Sequence, residues 1–337
     1  MTKLMLHCHL SPGDIVMLTA AVRDLHRLHP NRFLTDVRTS CPDLWFNNPW
    51  LTPLSRHDPD VRPIECRYPL IHRSNRESWH FVHGFGHHLA GELGIPWRLS
   101  EFRGDIHLSP EEMAEPSPVA AEFGEKRPYW IIAAGGKYDI TIKWWHRRRW
   151  QEVVDQLRDE VLFVQVGERE HYHPRLNGVL DLRGRTSLRQ LVRLVFHSHG
   201  VLCPVTCLMH LAAAVPQPPD RTGERPCVVV AGGREPASWE AYPGHRFLHT
   251  IGDLPCCAEG GCWKLRSRPL GDGHPNDNTE NLCTNFSAKA GLPRCMDRID
   301  TDTVVRAVRS FLPRRSSQRI SSPSSPALHQ PQLSTSS

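Results

Sequence analysis

Short apolar patterns typical of strands alternate with helical patterns through most of this chain of 337 residues. The predicted strands are Lys3 to Cys8, Arg32 to Val37, Tyr129 to Ala134, Val161 to Val166, Gly200 to Cys203 and Cys227 to Ala231. The predicted helices include Leu18 to Leu28, Ser78 to Leu93, Trp150 to Leu157, Ser187 to Phe196, Leu208 to Val215, and a last one that buries Val304 to Leu312 with an N-cap in Thr301 to Thr303. This alternation predicts an α/β fold with mostly parallel sheets.

The pattern falls into two halves. A stretch rich in Pro and Glu, from Pro110 to Pro128, is the best candidate for a boundary. We therefore expect two Rossmann-like domains facing a cleft, residues 1–125 and residues 126–312. A Cys-rich segment, residues 256–295, interrupts the second one, and residues 313–337 form a Ser/Pro/Gln-rich tail that we expect to be disordered.

Charge and hydropathy exclude two classes of function. The formal net charge is +5, and three of these charges are Arg314, Arg315 and Arg319 in the tail, so nucleic-acid binding is not expected. No stretch approaches the roughly 18 apolar residues of a membrane-spanning helix, although peripheral association is left open. The chain turns polar after Leu10 without a signal-peptide core, which predicts a cytoplasmic protein.

Two turns at predicted strand ends carry residues that suit chemistry in a cleft. Asp14 follows the first strand and has the position of a general base, unless it only caps the helix. Gly135 and Gly136 follow another strand, where backbone without side chains admits a phosphate, and Lys137 and Lys143 add positive charge. Gly-Gly after a strand is, however, most often only a turn.

A third candidate is the start of the helix after the strand Gly200 to Cys203. Thr206 and His210 open a helix of small residues, and a helix N-terminus favours an anion. A buried core histidine explains His210 equally well.

Cysteine and histidine are unusually frequent, with 11 Cys and 21 His. Cys257, Cys262, Cys283 and Cys295 could close a tetrahedral structural site for iron or zinc, with Cys256 as the alternative to Cys257. Scattered buried thiols are the other interpretation. His80, His83 and His87 share a predicted helical face next to His88, and we interpret this group as a solvated face. Asp272, between two glycines, lacks the rest of a calcium loop.

The order of these motifs resembles glycosyltransferase family 9, the ADP-heptose heptosyltransferases. Ser11 to Leu25 resembles the opening "GD" turn and helix, and Lys143-Trp144 resembles "K-x-W". The other three matching segments are Asp181 to Leu188 ("dLaGktsL"), Thr206 to Val215 ("DTGxxHLAAA") and Val228 to Trp239 ("strand-G-x-x-P-x-x-W"). The Cys-rich segment loosely resembles the iron-binding finger of autotransporter heptosyltransferases, which modify proteins in the cytoplasm.

The resemblance implies the B-type glycosyltransferase fold and an inverting transfer that needs no catalytic metal. Asp14 would deprotonate the acceptor hydroxyl of a glycan or a protein, and the first domain would be the acceptor side. Leu182 to Leu188 would lie near the nucleotide base. The residues that would bind the nucleotide-sugar donor are Gly135, Gly136, Lys137, Lys143, Glu168, Thr206, Met209 and His210.

Two positions depart from the family pattern. Val205 replaces the Asp before Thr206, and Cys207 replaces the Gly after it. The sequence therefore predicts a glycosyltransferase whose donor sugar is open, heptose being one candidate. The alternatives are a binding protein that has lost catalysis and an interaction protein that works through its Cys segment. A nucleotide-sugar epimerase is disfavoured because no paired acid and base are visible in the sequence.

Overall fold

The structure is a computed structural model, and it describes residues 1–120 and 128–313. The predicted boundary at residue 125 and residues 314–337 of the predicted tail lie outside the described residues. None of the described helices is long and apolar enough to cross a membrane.

The first half contains a three-stranded parallel sheet in the order β2-β1-β3. Its strands are β1 Thr2–Cys8, β2 Phe33–Thr39 and β3 Val61–Glu65. Its helices are α1 Pro12–Leu28, α2 Gly84–Leu93 and α3 Pro110–Ala114. Pro at the first position starts α1 without loss of a hydrogen bond, and nearly the whole helix is buried behind β1.

The second half contains a six-stranded parallel sheet in the order β6-β5-β4-β7-β8-β9. The strands are β4 Tyr129–Ile132, β5 Leu162–Gln165, β6 Leu180–Asp181, β7 Gly200–Pro204, β8 Cys227–Gly232 and β9 Arg246–His249. The helices are α4 Arg147–Leu157, α5 Leu188–His197, α6 Cys207–Ala214 and α7 Ala237–Glu240. β4, β5, β7 and β8 are buried on both faces, as the continuous apolar patterns require.

The described part of the chain ends with the Cys-rich segment and two helices. The segment carries the short hairpin of β10 Phe286–Ser287 and β11 Leu292–Pro293, followed by α8 Arg294–Asp297 and α9 Thr301–Arg309. The N-cap of α9 is Asp300, which accepts from the Thr303 amide, so the prediction of a cap within Thr301 to Thr303 was wrong.

The sheet orders explain where a ligand site can form. Strand order reverses between β4 and β7, and ligands of parallel α/β sheets bind beyond the carboxyl ends of the strands at such a reversal. The turns after β4, β7 and β8 lie there, and the turn after β1 faces them from the other half. One continuous apolar core includes residues of both halves, from Leu4 to Tyr242.

Candidate functional site

Asp14 lies at the turn from β1 into α1, in the first turn of the helix. The N-cap is Ser11 and makes no side-chain capping bond, so the interpretation of Asp14 as the N-cap was wrong. Its carboxylate hydrogen-bonds the Tyr68 hydroxyl and also interacts with the charge of Lys143 from the second half. Burial raises the pKa of Asp14 above its usual value, which strengthens it as a proton acceptor.

Lys143 faces Asp14 from the second half and is held by a buried carboxylate. Its Nζ atom lies 2.7 Å from Oε1 of Glu235, whose side chain is 1% exposed. Glu235 also pairs with Arg234. Burial opposes ionisation of Glu235, but the charges of Arg234 and Lys143 outweigh it and lower its pKa. Two cations thus share one carboxylate, which leaves a net positive charge for a diphosphate.

His210 is buried in α6 between two side chains from the segment after β8. Its Nδ1 atom lies 2.8 Å from the Tyr242 hydroxyl, and its Nε2 atom lies 3.5 Å from Oε2 of Glu240. Burial lowers the pKa of His210 well below its usual value, so its ring is neutral at pH 7. A neutral ring can orient a substrate group by hydrogen bonding but adds no charge.

Gly135 and Gly136, which follow β4, lie against the backbone of Tyr172. Gly136 and Tyr172 exchange two backbone hydrogen bonds, of 2.8 and 3.0 Å. A Cβ atom on Gly135 would lie 1.8 Å from the Tyr172 carbonyl oxygen. The Gly136 amide is therefore taken up by this pairing, while Lys137 reaches across to the first half, where its Nζ atom donates to Ser11 Oγ at 2.7 Å.

The start of α6 also packs closely. The Thr206 hydroxyl caps the helix by accepting from the Leu208 amide, and Met209 is fully buried. Gly13 lies against this end, because a Cβ atom there would be 3.1 Å from the His210 ring. Glu168 is exposed beyond β5, where its charge acts on His171.

Four of the five clustered thiols interact electrostatically, and Cys257 is not among them. The Sγ atom of Cys257 donates to the carbonyls of Thr250 and Leu254, each at 3.5 Å. Burial and then the neighbouring thiols raise the pKa values of Cys262, Cys283 and Cys295, and Cys256 is one of the thiols that act on Cys262 and Cys283. In the described part of the chain, however, no three His, Cys, Asp or Glu side chains form a group that could hold a metal ion. The predicted metal finger is not confirmed.

The histidine face has a different explanation from the predicted one. α2 begins at Gly84, so His80 and His83 precede it, and His80 is only 3% exposed. His80 contacts the rings of Phe102 and Tyr242, with centroids 4.5 and 4.7 Å apart. His87 alone is exposed. Aromatic packing against this group, rather than solvation, accounts for His80 and His83.

Five residues of the site were missed in the sequence, namely Tyr68, Arg234, Glu235, Glu240 and Tyr242. Glu235 lies inside the segment that resembles "strand-G-x-x-P-x-x-W", and Glu240 follows it directly, so this segment was the available signal. Tyr68 lies on a connection without a motif. Its contact with Asp14 comes only from the fold.

The two cavities described in the structure lie elsewhere. One of about 210 Å³ includes Arg103 and Ala214 in its lining, and one of about 300 Å³ lies between Ser74 to Ser78 and Pro236 to Ser238. Asp14 and Lys143 line neither of these two cavities.

Residues 81–219 match the sequence model of glycosyltransferase family 9 (heptosyltransferase). The resemblance to glycosyltransferase family 9 is confirmed. With it, the prediction of a glycosyltransferase is confirmed. Lys143, Thr206 and His210 lie within the family 9 match, whereas Asp14, Glu235 and Glu240 lie outside it. A search of curated proteins gives no match.

Solved structures of glycosyltransferases share the fold. A family 9 glycosyl transferase from Veillonella parvula has a TM-score of 0.62 at 11% identity, covering 92% of this chain and 97% of that one. The iron-containing dodecameric glycosyltransferase TibC from enterotoxigenic E. coli has a TM-score of 0.60 at 17% identity, covering 92% and 76%. The E. coli ADP-heptose heptosyltransferase II has a TM-score of 0.55 at 15% identity, covering 91% of this chain and 98% of that one. The predicted fold class is thereby confirmed.

Proposed function

We propose that this protein transfers a sugar from a nucleotide-diphosphate donor to a hydroxyl group of a glycan or a protein, with inversion at the sugar. The observation that carries the proposal is the approach of Asp14 and Lys143 from opposite halves, with Lys143 held by Glu235 at 2.7 Å. A base and a cation on two sides of one site are what glycosyl transfer needs.

In the proposed reaction, Asp14 accepts the proton of the acceptor hydroxyl as its oxygen attacks the anomeric carbon. The bond from that carbon to the phosphate oxygen breaks, and the electron pair stays on the diphosphate. Lys143 and Arg234 stabilise this charge, because together they exceed the charge of Glu235. His210 and Thr206 hold the phosphates near the start of α6.

ADP-heptose is the first donor to test. TibC, with a TM-score of 0.61 and 17% identity, has been solved in complex with ADP-D-β-D-heptose. Thermal shift with ADP-, UDP-, GDP- and dTDP-sugars identifies the donor, because only a bound ligand raises the unfolding midpoint. If the protein binds a nucleotide sugar but transfers it to no acceptor, it is a binding module and the proposal is wrong.

Asp14→Asn tests the base. The amide keeps the shape and the Tyr68 contact but accepts no proton, so we expect the turnover rate to fall by about 10²- to 10⁴-fold. Donor affinity, measured by calorimetry, should change little. Asp60, whose side chain is 81% exposed, provides the control, because Asp60→Asn should keep the wild-type rate. Turnover by Asp14→Asn at the wild-type rate would contradict the assignment.

A structural iron or zinc at the Cys-rich segment remains a proposal. Its support is that Cys262 and Cys283 both interact with Cys256, and Cys295 interacts with both of them. No step of the reaction depends on it. We expect metal analysis of purified protein to find iron or zinc that is lost in Cys283→Ser and kept in Cys257→Ser, because the Cys257 thiol bonds backbone carbonyls instead. Wild-type protein without metal would exclude the site.

A further inference from the structure

Glu240 has a buried carboxyl group with one oxygen that no described residue hydrogen-bonds. It is the last residue of the short helix α7, and the residue is 6% exposed. Among the described residues, its Oε2 atom has no hydrogen-bond partner, although His210 Nε2 lies 3.5 Å away. Buried polar atoms are almost always paired, because an unpaired one keeps the cost of leaving water. The unpaired oxygen indicates that a group absent from the protein completes this environment.

The unpaired oxygen faces the residues of the proposed reaction. The carboxyl of Glu240 interacts electrostatically with Lys143, Glu235 and Asp14. Oε2 of Glu235 is also unpaired, but Oε1 of Glu235 pairs with both Lys143 and Arg234. Glu240 forms no ion pair with either cation, which leaves its carboxyl group available to a neutral ligand group. The strand end before α6 offers no alternative, because Val205 there is buried and apolar.

The chemistry of Glu240 suits a hydroxyl group better than a phosphate. Burial, and after it the charge of Glu235, raises the pKa of Glu240 to about 8, so the carboxyl is mostly protonated at pH 7. A neutral carboxyl group donates one hydrogen bond and accepts others, and a sugar hydroxyl does the same. The diphosphate is better served by the cations Lys143 and Arg234.

We propose that Glu240 binds a hydroxyl group of the transferred sugar and so takes part in selecting the donor. This inference rests on the proposed function. Glu240 then binds the sugar of the donor, and the cations Lys143 and Arg234 bind its diphosphate.

The test compares ADP-heptose with ADP, which lacks the sugar. Calorimetry on the full chain gives the affinities of both ligands for wild type, Glu240→Ala and Glu240→Gln. We expect Glu240→Ala to weaken the binding of ADP-heptose at least tenfold and to leave the affinity for ADP within about twofold of wild type. Glu240→Gln keeps a donor and an acceptor at the same place, so its affinity for ADP-heptose should stay within about threefold.

The ratio of the two affinities decides the outcome. If Glu240→Ala weakens the binding of ADP and of ADP-heptose equally, or changes neither affinity, Glu240 does not contact the sugar. The inference is then wrong, while the proposed function stands. If Glu240→Ala does not fold, Glu240→Thr, which keeps only a short hydroxyl group, replaces it and must show the same selective loss. If wild-type protein binds neither ligand, it is the ADP-heptose donor of the proposed function that fails.

Discussion

Burial shifts the pKa values of the histidines around Tyr242 and of Glu240 in opposite directions. Burial lowers the pKa of His80 to about 3 and that of His245 to about 4, and it raises that of Glu240 to about 8. In each case the neutral form is favoured, because a low-dielectric interior penalises charge. Around Tyr242 the interior is therefore neutral at pH 7, and the charged groups of the site are Lys143, Arg234 and Glu235, which Asp14 faces as the proposed base.

The raised pKa of Glu240 can be measured through the free energy of unfolding of Glu240→Gln. The pKa of Glu240 is above the unfolded value of 4.5, so its contribution to stability is full below pH 4.5 and is lost as pH rises towards 8. The amide does not titrate, so we expect Glu240→Gln to gain free energy of unfolding over wild type from pH 5 to 8, by at most about 1.4 kcal/mol per pH unit.

Urea unfolding at pH 5, 6.5 and 8 measures that difference. The groups that face Glu240 are present in both proteins and cancel in the comparison; they are Asp14, Tyr68, Lys143, His210, Arg234, Glu235 and Tyr242. A difference that stays constant with pH would show that the carboxyl group keeps its ordinary pKa.

At the scale of elements, the turn after β4 depends on close approach of two backbones. Gly135 is next to the Gly136–Tyr172 pairing, which joins the end of β4 to the loop after β5. The glycines serve the packing of this turn in the structure. Whether they also line a donor site, as the resemblance implies, is decided by the donor experiments.

Gly135→Ala should destabilise the protein by about 2 kcal/mol or more, because the added Cβ atom would meet the Tyr172 carbonyl oxygen at 1.8 Å. Gly91 in α2 is the matched control, since a Cβ atom there meets nothing within 4 Å. Gly91→Ala should stabilise by about 0.5–1 kcal/mol, because alanine loses less entropy in a helix. Denaturant melts of both variants test this, and equal effects would contradict it.

At the scale of the molecule, the two halves are joined by polar contacts as well as by the shared core. Lys137 donates to Ser11, and the Asn75 side chain exchanges two hydrogen bonds of 2.9 Å with the backbone of Gly261. Gly13 packs on His210 at the same junction. These contacts join the two halves beside the turns that carry Asp14 and His210.

The sequence by itself determined six of the strands, most helices and the connections after β1, β4 and β7 that carry Asp14, Lys143, Thr206 and His210. It could do so because periodicity and turn residues act over a few neighbouring residues. Five strands were missed, namely β3, β6, β9, β10 and β11. They are short or partly exposed, and their patterns are correspondingly weak.

The tertiary structure alone decided the partners of those residues. The Tyr68 hydroxyl reaches Asp14, Glu235 holds Lys143, and Cys257 turns towards backbone carbonyls while Cys256 lies among the other thiols. Tyr68 and Asp14 are far apart in the sequence, as are Glu235 and Lys143, so no local pattern relates them. Cys256 and Cys257 are adjacent, and a local pattern does not distinguish them. Burial of Glu240 likewise depends on how both halves pack around α7, because desolvation is a property of the assembled fold and not of a segment.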